Sequence, residues 1–131
     1  MLNLFSHSDI LNKALDASWL RNQVISNNIS NIDTPNFKSS RVEFESELKK
    51  ALDSKNINMK KTRDKHLGAA APTFQPQVLK NNNTTVRMDG NNVDIEGEEL
   101  NMVKNAIYYN TLVQKISKEY GRIRVAINGG K

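Results

Sequence analysis

The sequence predicts a mainly α-helical protein in which two long amphipathic helices, one at each end, pack as an antiparallel coiled-coil-like pair. Apolar residues recur at helical spacing over the first 31 residues and again from about residue 95 to residue 128. The middle offers few bulky apolar residues, so each terminal helix finds its best apolar partner in the other. An irregular middle with room for a short β-hairpin completes the prediction. The 131 residues suit one domain.

The N-terminal stripe predicts a helix from about Ser8 to Asn31. Ser18 and Asn22 interrupt the stripe, so one layer of the interface is expected to be polar. A buried polar layer fixes the register of packed helices at some cost in stability. Trp19 lies beside this layer, where it is placed to insert into a partner. The apolar positions expected to pack are Leu11, Leu15, Ile25 and Ile29.

A seven-residue repeat predicts the C-terminal helix, from about Ile95 to Asn128. Asp94 is the expected N-cap, and the glycine pair that begins at Gly129 is expected to end the helix. Gly97 near its start weakens the first turn, which leaves a later onset as an alternative. The repeat consists of two lines of residues, one four positions behind the other, and its expected packing residues are Met102, Tyr109, Val113, Ile116, Tyr120 and Ile123.

The chain divides into residues 1–38, a basic middle of residues 39–93 that is expected to be partly mobile, and residues 94–131. The formal net charge is +5, and it equals the +5 of residues 49–66, because the −2 of residues 1–48 and the +2 of residues 67–131 cancel. This block has no aromatic residue for base stacking, so a solvated segment is the favoured interpretation and a nucleic-acid patch the alternative. The hairpin is expected within residues 72–88, with its turn in the asparagine run 81–83.

Composition disfavours most enzyme classes. The chain has no cysteine and two histidines, which leaves little material for metal sites or nucleophilic catalysis. The acidic stretch from Asp89 to Glu99 fails the spacing of a calcium loop, because Val93 stands where an oxygen ligand is needed and Leu100 where glutamate is needed. We therefore expect no enzyme, no metal and no cofactor. The sequence also has no apolar run long enough for a transmembrane segment or a cleavable signal.

The segment Asn27–Lys38 is predicted to close the first helix. Pro35 disfavours helical geometry at Thr34, and Pro35 and Asn36 occupy the centre of a predicted tight turn before Phe37. Three asparagines near the helix end offer amides to the last carbonyl groups, which have no partner within the helix: Asn27, Asn28 and Asn31. The asparagines of residues 81–92 are interpreted as loop.

Asn27–Lys38 resembles the signature of flagellar axial proteins, the rod and hook family. Asn36 departs from the glycine that is usual there, although asparagine also tolerates left-handed backbone. A second match lies at 90–94, 99–100, 104–114 and 126–130, and this combination resembles a proximal rod subunit rather than its rod siblings or a hook protein, in agreement with the short chain. The resemblance implies a structural subunit of the flagellar basal body that transmits torque and leaves the cell through the flagellar type III apparatus without signal cleavage.

The implied partners are copies of the chain, other rod subunits, the adaptor below the rod, and the membrane ring and export gate. In that setting the helix residues named above are packing and subunit-interface residues, and Asn27–Phe37 fixes the turn into the middle. Other hypotheses remain open: a sibling rod protein, a nucleic-acid-binding module, a compact monomeric bundle, or an N-terminal helix lying on a membrane. The balanced charges of that helix disfavour the last one.

Overall fold

The computed structural model describes residues 6–46, 48–49, 75–82 and 87–129. Nearly all of the basic block, with its nucleic-acid alternative, lies outside the described residues. No helix in the described part is long and apolar enough to cross a membrane.

Two long helices dominate the fold, as the sequence predicted. Helix α1 spans Ser6–Ser30 and helix α2 spans Ile95–Ile127. The two helices pack antiparallel. The Asn12 amide near the start of α1 lies 3.5 Å from the Tyr120 hydroxyl near the end of α2. At the opposite end of the pair, Asn28 donates to Glu98 at 3.1 Å.

The predicted sheet exists, but its strands are partly different. Strand β1, Ser40–Glu43, pairs antiparallel with strand β2, Gln77–Lys80, with Val42 opposite Val78. The prediction that both strands fall within residues 72–88 is wrong for one of them. The strand that pairs with β2 is β1, which lies far earlier in the chain. Of β1, Val42 is buried, whereas β2 is exposed throughout. A strand already anchored on α1 is the better partner because its fixed backbone needs no further ordering. Residues 83–86 lie outside the described residues.

The face that α2 turns toward α1 is rotated from the expected one. Met102, Ile116 and Ile123 are half-buried, but the line four positions behind them, Ala106 to Ile127, is exposed. Asn105 and Leu112 are the buried residues of α2 instead. Phe44, which comes directly after β1, packs against Leu112 and beside Tyr108 of α2. The buried side of α2 is therefore the side that faces Phe44.

A small apolar core lies where α1, α2 and the end of β1 meet. It contains Ala14, Ala17, Phe44 and Leu112, with Leu11, Leu15 and Leu48 packed around it. Alanines on α1 leave room for the Phe44 ring, which is fully buried. The ring lies 6.1 Å from the Tyr108 ring, and the Arg21 guanidinium carbon lies 4.7 Å above its centroid. One aromatic side chain therefore joins all three elements.

The ends of α2 match the sequence in position. Asp94 is the N-cap residue, although its side chain makes no capping hydrogen bond, and Gly129 follows the helix with a φ of 68°. The helix begins at Ile95, as predicted, and not at the later onset that Gly97 left as an alternative. A Cβ at Gly97 would lie 2.8 Å from the Asp94 carboxylate, so the glycine makes room for that group at the helix start.

We expect Phe44→Ala to lower the free energy of unfolding by about 3–4 kcal/mol, because it removes a buried ring and leaves a cavity among three elements. Urea unfolding followed by circular dichroism measures this. Ile107→Ala is the matched control: Ile107 is 64% exposed on α2, and its truncation should change stability by about 0.5 kcal/mol or less. Equal losses for the two variants would contradict the central position of Phe44.

Candidate functional site

The segment after α1 forms the tight turn that the sequence predicted. The Phe37 amide donates to the Thr34 carbonyl at 3.3 Å, which places Pro35 and Asn36 at the two central positions. Asn36 has a φ of 59°, the left-handed conformation expected for it. The Asn31 side chain donates back to the Asn27 carbonyl at 2.8 Å, and the Thr34 hydroxyl lies 3.2 Å from the Asn31 amide oxygen.

Asn91, from the loop before α2, caps the end of α1. Its side-chain nitrogen donates to the carbonyls of Asn31, Ile32 and Thr34 at 2.9–3.0 Å. Its side-chain oxygen accepts from the Val93 amide at 2.8 Å. The side chain is fully buried, and it adds a second donor to carbonyls of the segment that follows α1, each of which also accepts from another group. One residue thus ties the end of the first helix to the approach of the second.

The two loops touch so closely that Gly90 has no room for a side chain. A Cβ there would lie 2.5 Å from the Asn36 side-chain oxygen, and Gly90 has a φ of 80°. The Asn36 amide donates to the Asp89 carbonyl at 3.0 Å, and the Lys38 ammonium donates to the Gly90 carbonyl at 2.8 Å. The turn after α1 is therefore held from outside by residues 89–91.

Asn28 docks strand β1 on the helix pair. Its side-chain oxygen accepts from the Ser40 amide at 3.0 Å, and its nitrogen donates to the Ser40 carbonyl at 2.8 Å, as a neighbouring strand would. The same nitrogen donates to Glu98 on α2. Asn92 acts similarly, because it accepts from the Ser39 amide at 2.7 Å and donates to the Asn81 carbonyl at 2.8 Å. We call Asn28, Asn91 and Asn92 the asparagine lock.

A polar layer crosses the middle of the helix pair. The buried Ser18 hydroxyl donates to the Asn105 side-chain oxygen at 3.0 Å, and the Asn105 nitrogen donates to the Ser18 carbonyl at 2.9 Å. The polar layer predicted from Ser18 is thus present, but Asn22 is exposed and does not belong to it. Because both members are satisfied, a shift of register would leave buried polar atoms without partners.

Burial raises the pKa of the Glu98 carboxyl, and this effect exceeds the opposing effect of the Asn28 hydrogen bond; the charge of Asp94 raises the pKa further. Burial also raises the pKa of the Tyr108 hydroxyl, with the Glu45 charge acting in the same direction and Arg21 against it. Arg21 lies 2.8 Å from Glu45. Among the described residues, no three histidine, aspartate or glutamate side chains converge as a metal site requires.

The residues predicted to pack lie in three kinds of environment. Ile25 is buried, and three others, Tyr109, Val113 and Tyr120, are exposed on the pair. The half-buried residues lie along the seam between the helices: Leu11, Leu15, Ile29, Met102, Ile116 and Ile123. Trp19 is 56% exposed and lines a pocket of about 190 Å³ with Ala106 and Tyr109.

Comparison with known proteins shows which family the chain resembles. A family model described as "Flagella basal body rod protein" matches residues 13–38, which cover most of α1 and the tight turn. The flagellar basal body rod protein FlgB of Borreliella burgdorferi is 37% identical, over 96% of this chain and 99% of the relative. The chain belongs to the FlgB family. The Bacillus subtilis FlgB is 30% identical over 99% of the chain and all of the relative, and the Yersinia enterocolitica FlgB is 32% identical over 76% of the chain.

The resemblance to flagellar rod proteins is therefore confirmed, and the FlgB match spans the middle as well as the helices. Sequence reasoning missed Asn91, Asn92 and Asn105 as structural residues. It interpreted the first two as loop, although they lie in a motif, Gly90–Asp94, that itself resembled the family. The density of asparagine at 81–92 was the available signal, but the partners of Asn91 and Asn92 are 11–60 residues away in the chain.

We expect Asn91→Asp to lower the free energy of unfolding by about 2–4 kcal/mol, because a carboxylate oxygen would replace the donor that faces three carbonyls. Chemical denaturation measures the loss. The control is Asn110→Asp, the same substitution at an exposed position of α2, where a change of about 0.5 kcal/mol or less is expected. A tolerated Asn91→Asp would show that this amide does not hold the junction.

The raised pKa of Glu98 predicts a pH dependence. Because its pKa is higher in the folded state, Glu98 favours folding most when protonated, and this contribution is lost as the pH rises through the folded-state value. Glutamine does not titrate. We therefore expect the free energy of unfolding of Glu98→Gln, minus that of the wild type, to be larger at pH 7 than at pH 4. Urea midpoints at both pH values measure this, with exposed Glu99→Gln as the control. An equal difference at both pH values would contradict the effect of burial.

Proposed function

We propose that this chain is a structural subunit at the proximal end of the flagellar rod, where it polymerises through its terminal helices and transmits motor torque. Membership of the FlgB family supports a structural role in the rod. The proposed location is the periplasmic rod of the basal body, reached through the flagellar type III apparatus without cleavage of a signal. Copies of the chain, other rod subunits, the adaptor, and the membrane ring and export gate are the proposed partners.

The observation that carries polymerisation is an open face along one side of the helix pair. Trp19 of α1 and Tyr109, Val113 and Tyr120 of α2 are all exposed there. By helical periodicity Lys104, Lys115, Lys118 and Arg122 lie on another side of α2, whereas Arg124, four residues after Tyr120, borders the end of this face. A surface with two tyrosines and a tryptophan, bordered by an arginine, has the composition of a subunit interface.

Rod assembly follows from this face if neighbouring copies cover it. A contact between two different surfaces generates a helical filament when its rotation does not close the copies into a ring. In this proposal the asparagine lock, together with Thr34–Phe37, fixes the angle between the helices and the middle of the chain. Because its amides hydrogen-bond backbone groups of both loops, the subunit resists bending there, which suits a component under torque.

We expect a strain that lacks the chain to make no rod-containing basal bodies, and the wild-type gene to restore them. Val113→Lys should not restore them, because it places a charge within the open face while leaving the core intact. Thr111→Lys, at an exposed position on the side of α2 that already carries Lys104 and Lys115, is the matched control and should restore motility. Electron microscopy of purified basal bodies and swimming assays measure both.

Circular dichroism of the purified variants must show the same helix content, so that misfolding is separated from failed assembly. Normal rods with Val113→Lys would contradict the assignment of this face. Normal rods without the chain would contradict the proposed function itself.

A further inference from the structure

Of the 18 asparagines in the chain, one is followed by glycine. It is Asn128, and Gly129 comes directly after it at the end of α2. The side-chain carbonyl of an asparagine can react with the backbone nitrogen of the next residue, and a side chain on that next residue hinders the approach. Glycine has no Cβ, so it leaves the approach open and lets the backbone adopt the conformations that the reaction needs.

The structure leaves both residues accessible. Asn128 is exposed and is the C-cap residue of α2, with a ψ of 10° that is no longer helical. The Gly129 amide donates to the Ala126 carbonyl at 3.4 Å, which is longer than usual for such a bond. Beyond the chain neighbours of Gly129, no atom of a described residue lies within 4 Å of the position that a Cβ would take there. The reacting nitrogen and side chain therefore have room to approach each other.

The one aspartate followed by glycine, Asp89, is held very differently. The Gly90 amide donates to the Arg87 carbonyl at 3.1 Å, and Asp89 Oδ1 accepts from the Asn91 amide at 3.1 Å. A Cβ at Gly90 would lie 2.5 Å from the Asn36 side-chain oxygen. Because both the nitrogen and the side chain are fixed, the junction between the helices resists a reaction that the end of α2 allows.

We propose that Asn128 is a site of spontaneous deamidation, at which α2 acquires aspartate and isoaspartate. The Gly129 nitrogen loses its proton to solvent base and attacks Cγ of Asn128. A C–N bond forms, the side-chain nitrogen leaves as ammonia, and a succinimide ring results. Water then opens the ring. Cleavage of the new bond gives aspartate, and cleavage of the original peptide bond gives isoaspartate, in which the backbone runs through the side chain.

The modification changes the end of α2 in two ways. Both products carry a negative charge at the C-terminal end of a helix, where the macrodipole is also negative, so the last turn is weakened. Isoaspartate also adds one carbon to the backbone, which displaces Gly129 from the Ala126 carbonyl. This inference goes beyond the proposed function and does not depend on it, because it rests on the reactivity of the chain alone.

Mass spectrometry of the purified chain tests the proposal. After incubation in warm, mildly alkaline buffer, tryptic cleavage at Arg124 releases residues 125–131, in which Asn128 is the only asparagine. The internal control is Asn110, which is exposed on α2 but is followed by Thr111. We expect Asn128 to convert at least about tenfold faster than Asn110, because the branched threonine side chain hinders the attack and glycine does not.

Gly129→Ala is the matched variant, since it keeps Asn128 and adds one methyl group where the structure has open space. We expect it to lower the rate of conversion at least about fivefold. Circular dichroism establishes that the variant keeps its helix content. An isoaspartate methyltransferase with a labelled methyl donor measures the second product, and label should accumulate in the wild type but not in Asn128→Gln.

No conversion of Asn128 in the folded chain, or the same rate at Asn110 and Asn128, would overturn the proposal. Conversion that is equally fast in Gly129→Ala would also overturn it, since the glycine would then not be what makes the site reactive.

Discussion

The fold depends on a few side-chain amides that satisfy backbone groups at the junction between its two helices. Asn91 donates to three carbonyls at the end of α1, and Asn28 and Asn92 pair with the backbone of residues 39–40. An amide both donates and accepts, so one side chain can replace a missing strand or a missing helical turn. Because these groups are buried, any arrangement that leaves them without partners costs stability.

This dependence on polar contacts follows from the lean core. Phe44, Leu112 and two alanines of α1 form its centre, and much of the apolar surface of α2 remains exposed. Apolar burial drives the helices together without choosing a register, since it has no direction. The Ser18–Asn105 pair in the middle and the asparagine lock at one end choose it. The register is therefore specified by hydrogen bonds, while much of the apolar surface of α2 remains exposed.

The two helices and their antiparallel pairing followed from the sequence because apolar periodicity is local and repeats over several turns. The turn at Pro35 and Asn36 followed for the same reason, since each residue restricts its own backbone. The strand that pairs with β2 and the buried line of α2 did not follow. Asn28 fixes the strand of Val42 through Ser40, and Ser18 fixes Asn105, and these contacts join elements far apart in the chain.

The sequence by itself determined where the helices begin and end, where the chain turns, and the rod-protein resemblance, because backbone restriction and helical spacing act over short distances. Only the tertiary structure decided what the asparagines do. A buried capping amide and an asparagine in a solvated loop are the same residue in the sequence. The difference lies in which carbonyls come within 3 Å, and that is set by the packing of α1 against α2.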